Sequence, residues 1–388
     1  MRITDIIEKA VPVGSTMRNA AFDFSEMTTS VVAVKTDVIR NGRPVVGYAF
    51  NSTGRYACGA PMRARFIPRI LSAPPDDLLD AAGVIDPVKV FQRVMLREKP
   101  GGDAERSVPI GTIETAVWDA VAKILDRPLW HVLAERFGDG RAPSHVPCYV
   151  GGGWYKPERD LESLTEEVKR HLDSGYTHLK IKVGGVAVKD DVARIETAIK
   201  LIGAADRLAV DANAALSIER MRDYARVLAP YGLRWFEEPC GPLDYATFAE
   251  LASSYDAPLA TGENLFCAQD VDNLFRFGGF RNDRDILQVD PPQAYGVTAY
   301  ARMVARVEAF GGSRQRIFPH GGNMMSFALV AGLGLGGCEA YPGVFAAFGG
   351  FADGMDVQTG QIAVPDHPGI GFEAQPALYR IMQDIAES

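Results

Sequence analysis

From Val146 onward, short apolar runs alternate with helix-length segments in which apolar residues recur every three or four positions. Short apolar runs bounded by turn signals read as buried strands and the intervening pattern as amphipathic helices, so the alternation predicts βα units with a parallel sheet. Strands are expected at 146–150, 178–183, 208–212, 234–238, 258–262, 286–290 and 315–319, with a very short eighth at Cys338-Glu339-Ala340-Tyr341. Helices are expected at 161–174, 189–202, 217–229, 244–254, 268–276 and 296–310; in the second, Val192, Ile195, Ile199 and Ile202 share one face. This rhythm suits an α/β fold of the TIM-barrel type, whose strand ends converge on one face.

The first 130 residues break the rhythm. Two runs, 29–36 and 45–50, read as strands joined around Asn41-Gly42-Arg43-Pro44, a hairpin signal. Helical patterns follow near 62–73, 86–97 and 108–126, the last with Ile113, Ala116, Val117, Ala120, Val121 and Ile124 as an apolar stripe. The pattern therefore predicts a small α+β domain at 1–130 and a barrel at 131–345. The Gly- and Pro-rich tail, 346–388, is too irregular for another βα unit and is expected to return to the N-terminal domain.

A chain of 388 residues accommodates both parts, a barrel of about 250 residues and a domain of about 100. No apolar run approaches the roughly 20 residues that span a bilayer, and Met1-Arg2-Ile3-Thr4-Asp5 lacks the apolar core of a signal peptide, so a cytoplasmic protein is expected. Cysteines 58, 148, 240, 267 and 338 form no Cys-x-x-Cys pair and read as reduced thiols. The formal charge of −8 argues against a nucleic-acid partner, which needs clustered Lys and Arg. An acidic small molecule stays possible, since a bound cation reverses the local sign.

The candidate chemistry sits at the strand ends. Asp211, Glu237 and Glu263 fall at equal 26-residue spacing, each closing an apolar run. On successive barrel strands they become neighbours, and three hard oxygen donors that would otherwise repel one another suit Mg2+. Asn213 shares a face with Asp211, while Glu238 should point away from Glu237. Lys180 and Lys182 share a strand face, and two close, partly desolvated ammonium groups lower each other's pKa, favouring a neutral amine as general base. Asp290 and His320 end the sixth and seventh strands, where a carboxylate would fix the imidazole tautomer and raise its pKa for proton transfer. Glu339 ends the eighth strand and would reach a substrate carboxylate only if protonated or bridged. Lys99, Arg55 and Tyr56 lie in N-terminal loops near the barrel mouth, where they could hold the far end of an anionic substrate.

Lys-x-Lys, three acids on successive strands, then Asp and His on the next two, resembles the enolase superfamily, specifically its mandelate-racemase-like group, which includes acid-sugar dehydratases. Glu98-Lys99-Pro100-Gly101-Gly102, Asn51-Ser52-Thr53-Gly54-Arg55-Tyr56, Thr261-Gly262-Glu263-Asn264-Leu265-Phe266 and Phe318-Pro319-His320-Gly321-Gly322 are similar to segments of its tartrate-type dehydratases. The resemblance implies a (β/α)7β barrel with an N-terminal capping domain completed by the C-terminal tail, assembled as a homo-oligomer. It implies that Asp211, Glu237 and Glu263 bind Mg2+ and that Lys182, tuned by Lys180, removes the proton α to a carboxylate. His320, oriented by Asp290, would then release the β-hydroxyl; on tartrate the product would be oxaloacetate. Asn51, Arg55, Tyr56, Lys99 and Glu339 would contact the substrate. Ala214-Ala215, Pro239-Cys240-Gly241, Pro291-Pro292 and Asn323-Met324 depart from the tartrate-type pattern, so the substrate is less constrained than the reaction. The same residues would also serve a racemase or epimerase of a 2-hydroxy acid, and a non-catalytic binding module is the remote alternative.

Overall fold

The computed structural model describes residues 1–156 and 158–388. Its N-terminal part is an antiparallel sheet ordered β1 (Ile3–Pro12), β2 (Thr28–Arg40) and β3 (Arg43–Phe50). The β2–β3 turn forms at Asn41 and Gly42, whose φ values of 49° and 76° match the twist of the flanking strands. Arg43 and Pro44 belong to β3 rather than to the turn, with Pro44 opposite Ile39. β1 carries no strand pattern in the sequence because Asp5, Glu8 and Lys9 interrupt its apolar positions, as charges do on edge strands. A helical run from Gly59 to Leu71 follows, then α1 (Pro87–Val94), α2 (Asp103–Ile124) and α3 (Leu129–Phe137).

The barrel strands β4 (His145–Gly152), β5 (Leu179–Lys182), β6 (Leu208–Asp211), β7 (Trp235–Glu237), β8 (Leu259–Thr261) and β9 (Ile286–Leu287) pair in parallel in chain order. They alternate with α4 (Asp160–Asp173), α5 (Val188–Ile202), α6 (Ile218–Leu228), α7 (Tyr245–Ser254), α8 (Ala268–Phe277), α9 (Gly296–Ala309) and α10 (Met324–Leu333), and β10 (Cys338–Ala340) returns to pair with β4. The expected strand at 315–319 is reduced to one bridge, Leu287 to Ile317, after a tight turn at Arg314–Arg316. Phe318 N–H donates to Leu287 O (2.9 Å) and Gly336 N–H to Ile317 O (3.0 Å), which carries backbone pairing around the ring. α10 gave no helical signal because it is apolar on every side; all of its residues are buried.

The tail serves both parts of the molecule. β11 (Val357–Gln358) and β12 (Gln361–Ala363) form a hairpin whose second strand pairs with the start of β4, at the barrel end away from the carboxylates. α11 (Pro376–Ala386) then packs on β1 and β2, with Tyr379 edge-on to Tyr48 at 6.0 Å between ring centroids. Phe348 and Phe372 pack on Phe50 (5.2 and 6.2 Å between ring centroids) and Ile370 N–H donates to Asp119 Oδ1 (2.7 Å), so the tail meets the N-terminal domain on both sides of its hairpin. The boundary expected near residue 130 falls inside α3, which packs on α10 of the barrel. Among the described residues no helix is long and apolar enough to cross a membrane, and all five cysteines are free thiols.

The N-terminal domain is clamped to the barrel through α2, which is sandwiched between β2, β3 and α9. Glu114 accepts from Val297 N–H (2.7 Å) and Thr298 N–H (3.0 Å), capping the N-terminus of α9 with a carboxylate. A Cβ on Gly111 would lie 2.1 Å from Pro292 O and 2.7 Å from Gly296 N. Gly111→Ala is therefore expected to destabilise the protein by about 1–3 kcal/mol through overpacking, measured as a lowered Tm by calorimetry.

Candidate active site

The strand ladders place the strand-end residues side by side: Lys182 lies opposite Asp211, and Asp211 opposite Glu237. Asp211, Glu237 and Glu263 each bring a carboxylate oxygen within 4.8 Å of the other two. Asn213 and Glu238 have left-handed φ values of 46° and 41°, so the chain turns sharply after β6 and β7. Asn213 donates its amide N–H (2.8 Å) and Nδ2 (3.2 Å) to Asp211. Glu238, buried, accepts from Asn264 Nδ2 at 2.7 Å. Asn213 Oδ1 and Glu238 Oε2 are buried without a hydrogen-bond partner among the described residues. Unsatisfied oxygens beside three clustered carboxylates fit a hard divalent cation and the water it carries.

Two lysines neutralise this cluster. Lys180 Nζ bridges Glu237 (2.5 Å) and Glu339 (2.7 Å) and lies 3.5 Å from Asp211; Lys182 Nζ lies 2.6 Å from Asp211 Oδ2. Burial pushes Asp211 up, but Lys182 and Lys180 outweigh it and hold the carboxyl down at about 2. Burial and the Asp211 carboxylate push Glu237 up to about 7. Mutual repulsion was expected to lower the pKa of both lysines. For Lys180 the reverse holds: burial favours the neutral amine, but Glu237 and Glu339 outweigh it and hold the ammonium well above its usual range. A cation taking those carboxylates would loosen that hold.

Glu339 is held inside the same network. It accepts from Tyr341 Oη (2.8 Å) and Gly321 N–H (3.2 Å). Burial is outweighed by Lys180, so the group stays an ionised partner of that lysine. It is buried in the carboxylate–lysine network and is absent from the residues lining the cavity.

His320 sits between two carboxylates. Its Nδ1 lies 2.8 Å from Asp290 Oδ2 and its Nε2 3.5 Å from Glu263 Oε2. Burial opposes the charged ring, but Glu263 and the Asp290 hydrogen bond outweigh it and raise the imidazole to about 10. The sequence pointed to Asp290 for this effect; Glu263 adds to it.

Lys182, Glu263, Asn213 and His320 line one cavity over the carboxylates. Its remaining wall is largely aromatic: Phe22 and Phe24 from the loop after β1, Trp154 after β4, and Tyr341 and Phe345 after β10. Phe24 meets Trp154 and Phe345 edge-on at 5.7 and 5.3 Å, and the Trp154 ring lies 5.1 Å from Lys182 Nζ. Trp154, Tyr341 and Phe345 carried no sequence signal as site residues, because single aromatics in loops after strands look like core.

The N-terminal loops fall differently from expectation. Asn51 is wholly buried and organises its own loop, accepting from Ser30 N–H (2.6 Å) and donating to Arg55 O (3.1 Å) and Tyr56 O (3.2 Å). Arg55 hydrogen-bonds Asn264 and stacks on Phe266 at 4.8 Å, and Tyr56 points to solvent. It is Thr53 and Gly54, between them, that line the cavity. Lys99 is exposed and outside the cavity lining, its loop pinned where Arg106 donates to the Lys99 carbonyl at 2.8 Å.

The chain is similar to proteins of known activity. It is 25% identical to the arabinonate dehydratase of Saccharolobus solfataricus over 70% of each chain. It is 30% identical to the 3,6-anhydro-alpha-L-galactonate cycloisomerase of Streptomyces coelicolor, covering 73% of this chain and 74% of that one. A racemase from Streptomyces coelicolor A3(2), solved with bound magnesium, superposes with a TM-score of 0.75 at 25% identity, covering 96% of this chain and 98% of that one. Residues 163–378, more than half the chain, match the family described as enolase C-terminal domain-like, and with the capping domain and barrel around this cluster of acids the chain belongs to that family.

Proposed function

We propose that this protein is a lyase that dehydrates an acid sugar to a 2-keto acid with Mg2+. The observation that carries the reading is that Lys182 and His320 line one cavity over the carboxylate cluster, Lys182 beside Asp211 and His320 beside Glu263. Asp211, Glu237 and Glu263 would hold the metal. When bound, Mg2+ supplies Lewis-acid stabilisation of the negative charge that builds on the substrate carboxylate. Lys182, as the neutral amine, takes the α-proton, and Lys180 stays cationic beside the developing charge. His320 gives its proton to the β-hydroxyl as the C–O bond breaks. Water leaves, the electron pair of the former Cα–H bond becomes the Cα=Cβ bond, and the enol tautomerises to the keto acid.

Within this class we propose tartrate, giving oxaloacetate, as the first substrate to assay, on the strength of the shared segments. The exposed Lys99 would have to move or act from elsewhere to meet a second carboxylate. A cytoplasmic location and a homo-oligomeric assembly belong to the same proposal, as do Asn51, Arg55 and Tyr56 as supports of the Thr53-Gly54 wall.

Racemisation is the second reading, because a lysine and a histidine across one carbon can exchange its proton from either face. The Asp290 carboxylate on Nδ1 favours the imidazolium, an acid rather than a second base. His320→Asn is accordingly expected to slow keto-acid formation by about 10²–10⁴-fold while α-proton exchange with solvent continues. Proton NMR of substrate recovered from D2O reads both rates, and inversion without loss of water would favour the racemase.

A further inference from the structure

The carboxylate that orients His320 is itself held from the other domain. Ser52, in the loop after β3, is wholly buried, and its hydroxyl donates to Asp290 Oδ2 at 2.7 Å. His320 Nδ1 meets the same oxygen at 2.8 Å. Asn323 Nδ2, just past the histidine, donates to Ser52 Oγ at 3.3 Å. The fit is close: a Cβ on Gly321 would lie 2.7 Å from Ser52 Oγ and 3.1 Å from Asp290 Oδ2. A second strap runs through Gln293, whose N–H donates to Asp290 Oδ1 (3.3 Å) and whose Nε2 donates to Thr53 O (3.3 Å).

The backbone adds an independent observation. Ser52 has φ 62°, a left-handed conformation that glycine adopts freely and that costs a serine strain. A serine in a position that backbone geometry would give to glycine marks the hydroxyl as the useful part, since such strain persists where the surroundings over-determine it.

We propose that Ser52 is a positioning residue of the general acid. Its hydroxyl fixes the plane of the Asp290 carboxylate, which fixes the His320 ring, so the capping domain supplies part of the proton-donating half of the site. This rests on the reading of His320 as the acid in dehydration. Ser52 is absent from the residues lining the cavity, and its hydroxyl bonds Asp290 and Asn323 rather than the three clustered carboxylates. It acts on the angle at which Nε2 meets the departing hydroxyl, and small misplacements of a catalytic group cost as much as 10²-fold.

The test separates the two half-reactions. Ser52→Gly removes the hydroxyl and relieves the backbone, whereas Ser52→Ala removes the hydroxyl and keeps the strain. Both are assayed in D2O with Mg2+ for keto acid and for α-deuterium in recovered substrate. Lys182 carries three equivalent hydrogens when protonated, so exchange reports abstraction and return of the α-proton, steps in which His320 takes no part. Both variants are expected to lose dehydration about 10–100-fold, the range typical for removing an orienting partner. KM should be unchanged and α-exchange as fast as in the parent or faster, since an intermediate that loses its hydroxyl slowly returns to substrate more often. Full dehydration by Ser52→Gly overturns the proposal, and so does an equal loss of both rates in that variant, which would make Ser52 a general structural residue. His320→Asn runs alongside: undiminished dehydration there overturns the acid assignment itself, a failure distinguishable from that of Ser52 alone.

Discussion

Lys182→Ala is expected to remove α-proton exchange altogether and to lower keto-acid formation by at least about 10²–10⁴-fold, the range a positioned general base supplies. Lys182 is 3% exposed, its Nζ lies 2.6 Å from Asp211, and the Trp154 ring covers it at 5.1 Å. The neighbouring amine does not stand ready to replace it, because Lys180 is held as the ammonium by Glu237 and Glu339. Lys182→Arg should be as inactive, since a guanidinium does not give up its proton in a protein. Stability gives a second readout. Without metal, removing Lys182 leaves the buried Asp211 carboxylate short of a partner, so metal-free Lys182→Ala should melt below the metal-free parent. Adding Mg2+ should close most of that gap. If Lys182→Ala still exchanged the α-proton, the base would have to be sought elsewhere.

Asp211→Asn is expected to have the largest effect on the metal. Asp211 belongs to the three-carboxylate cluster and is the partner of Lys182, so the variant removes a charged ligand and frees the lysine at once. A ligand that binds only the folded state at a hundredfold excess over its Kd stabilises by about 2.7 kcal/mol. The parent should therefore gain several degrees in Tm on adding Mg2+, lose them on adding EDTA, and turn over only with the metal. Asp211→Asn should show almost no Mg2+-dependent rise and no keto-acid formation. A parent whose Tm and turnover ignore both Mg2+ and EDTA would contradict the metal assignment.

Much of this site was legible in the sequence because a parallel barrel converts spacing into proximity. Strand ends alone predict that Asp211, Glu237, Glu263, Lys182 and His320 meet, since every strand delivers its last residue to the same mouth, and the structure brings these side chains together. What resisted was whatever depended on neighbours distant in sequence. The opposite sign of the Lys180 shift follows from Glu237 together with Glu339, which lies far along the chain and meets the lysine only when β10 pairs back on β4. The loop 51–56 was recognised as a motif, but its alternation was not: Asn51 turns inward to organise the loop, Tyr56 turns outward, and Thr53 and Gly54 face the cavity. β1 and α10 were missed for contrasting reasons, the one too charged for a strand pattern and the other too uniformly apolar for a helical period. The seventh strand was over-read, because an apolar run ending in Phe318-Pro319-His320 looks extended whether or not it makes a full ladder.

The central claim is that one cavity removes an α-proton and then expels the β-hydroxyl. A stereochemically complete acid-sugar library, tartrates included, incubated with the protein and Mg2+ in D2O tests it most directly. The account predicts that at least one member yields a 2-keto-3-deoxy acid carrying solvent deuterium at C3, and that EDTA and Lys182→Ala both abolish the product. No keto acid from any member, with the α-carbon exchanging and inverting instead, would contradict it.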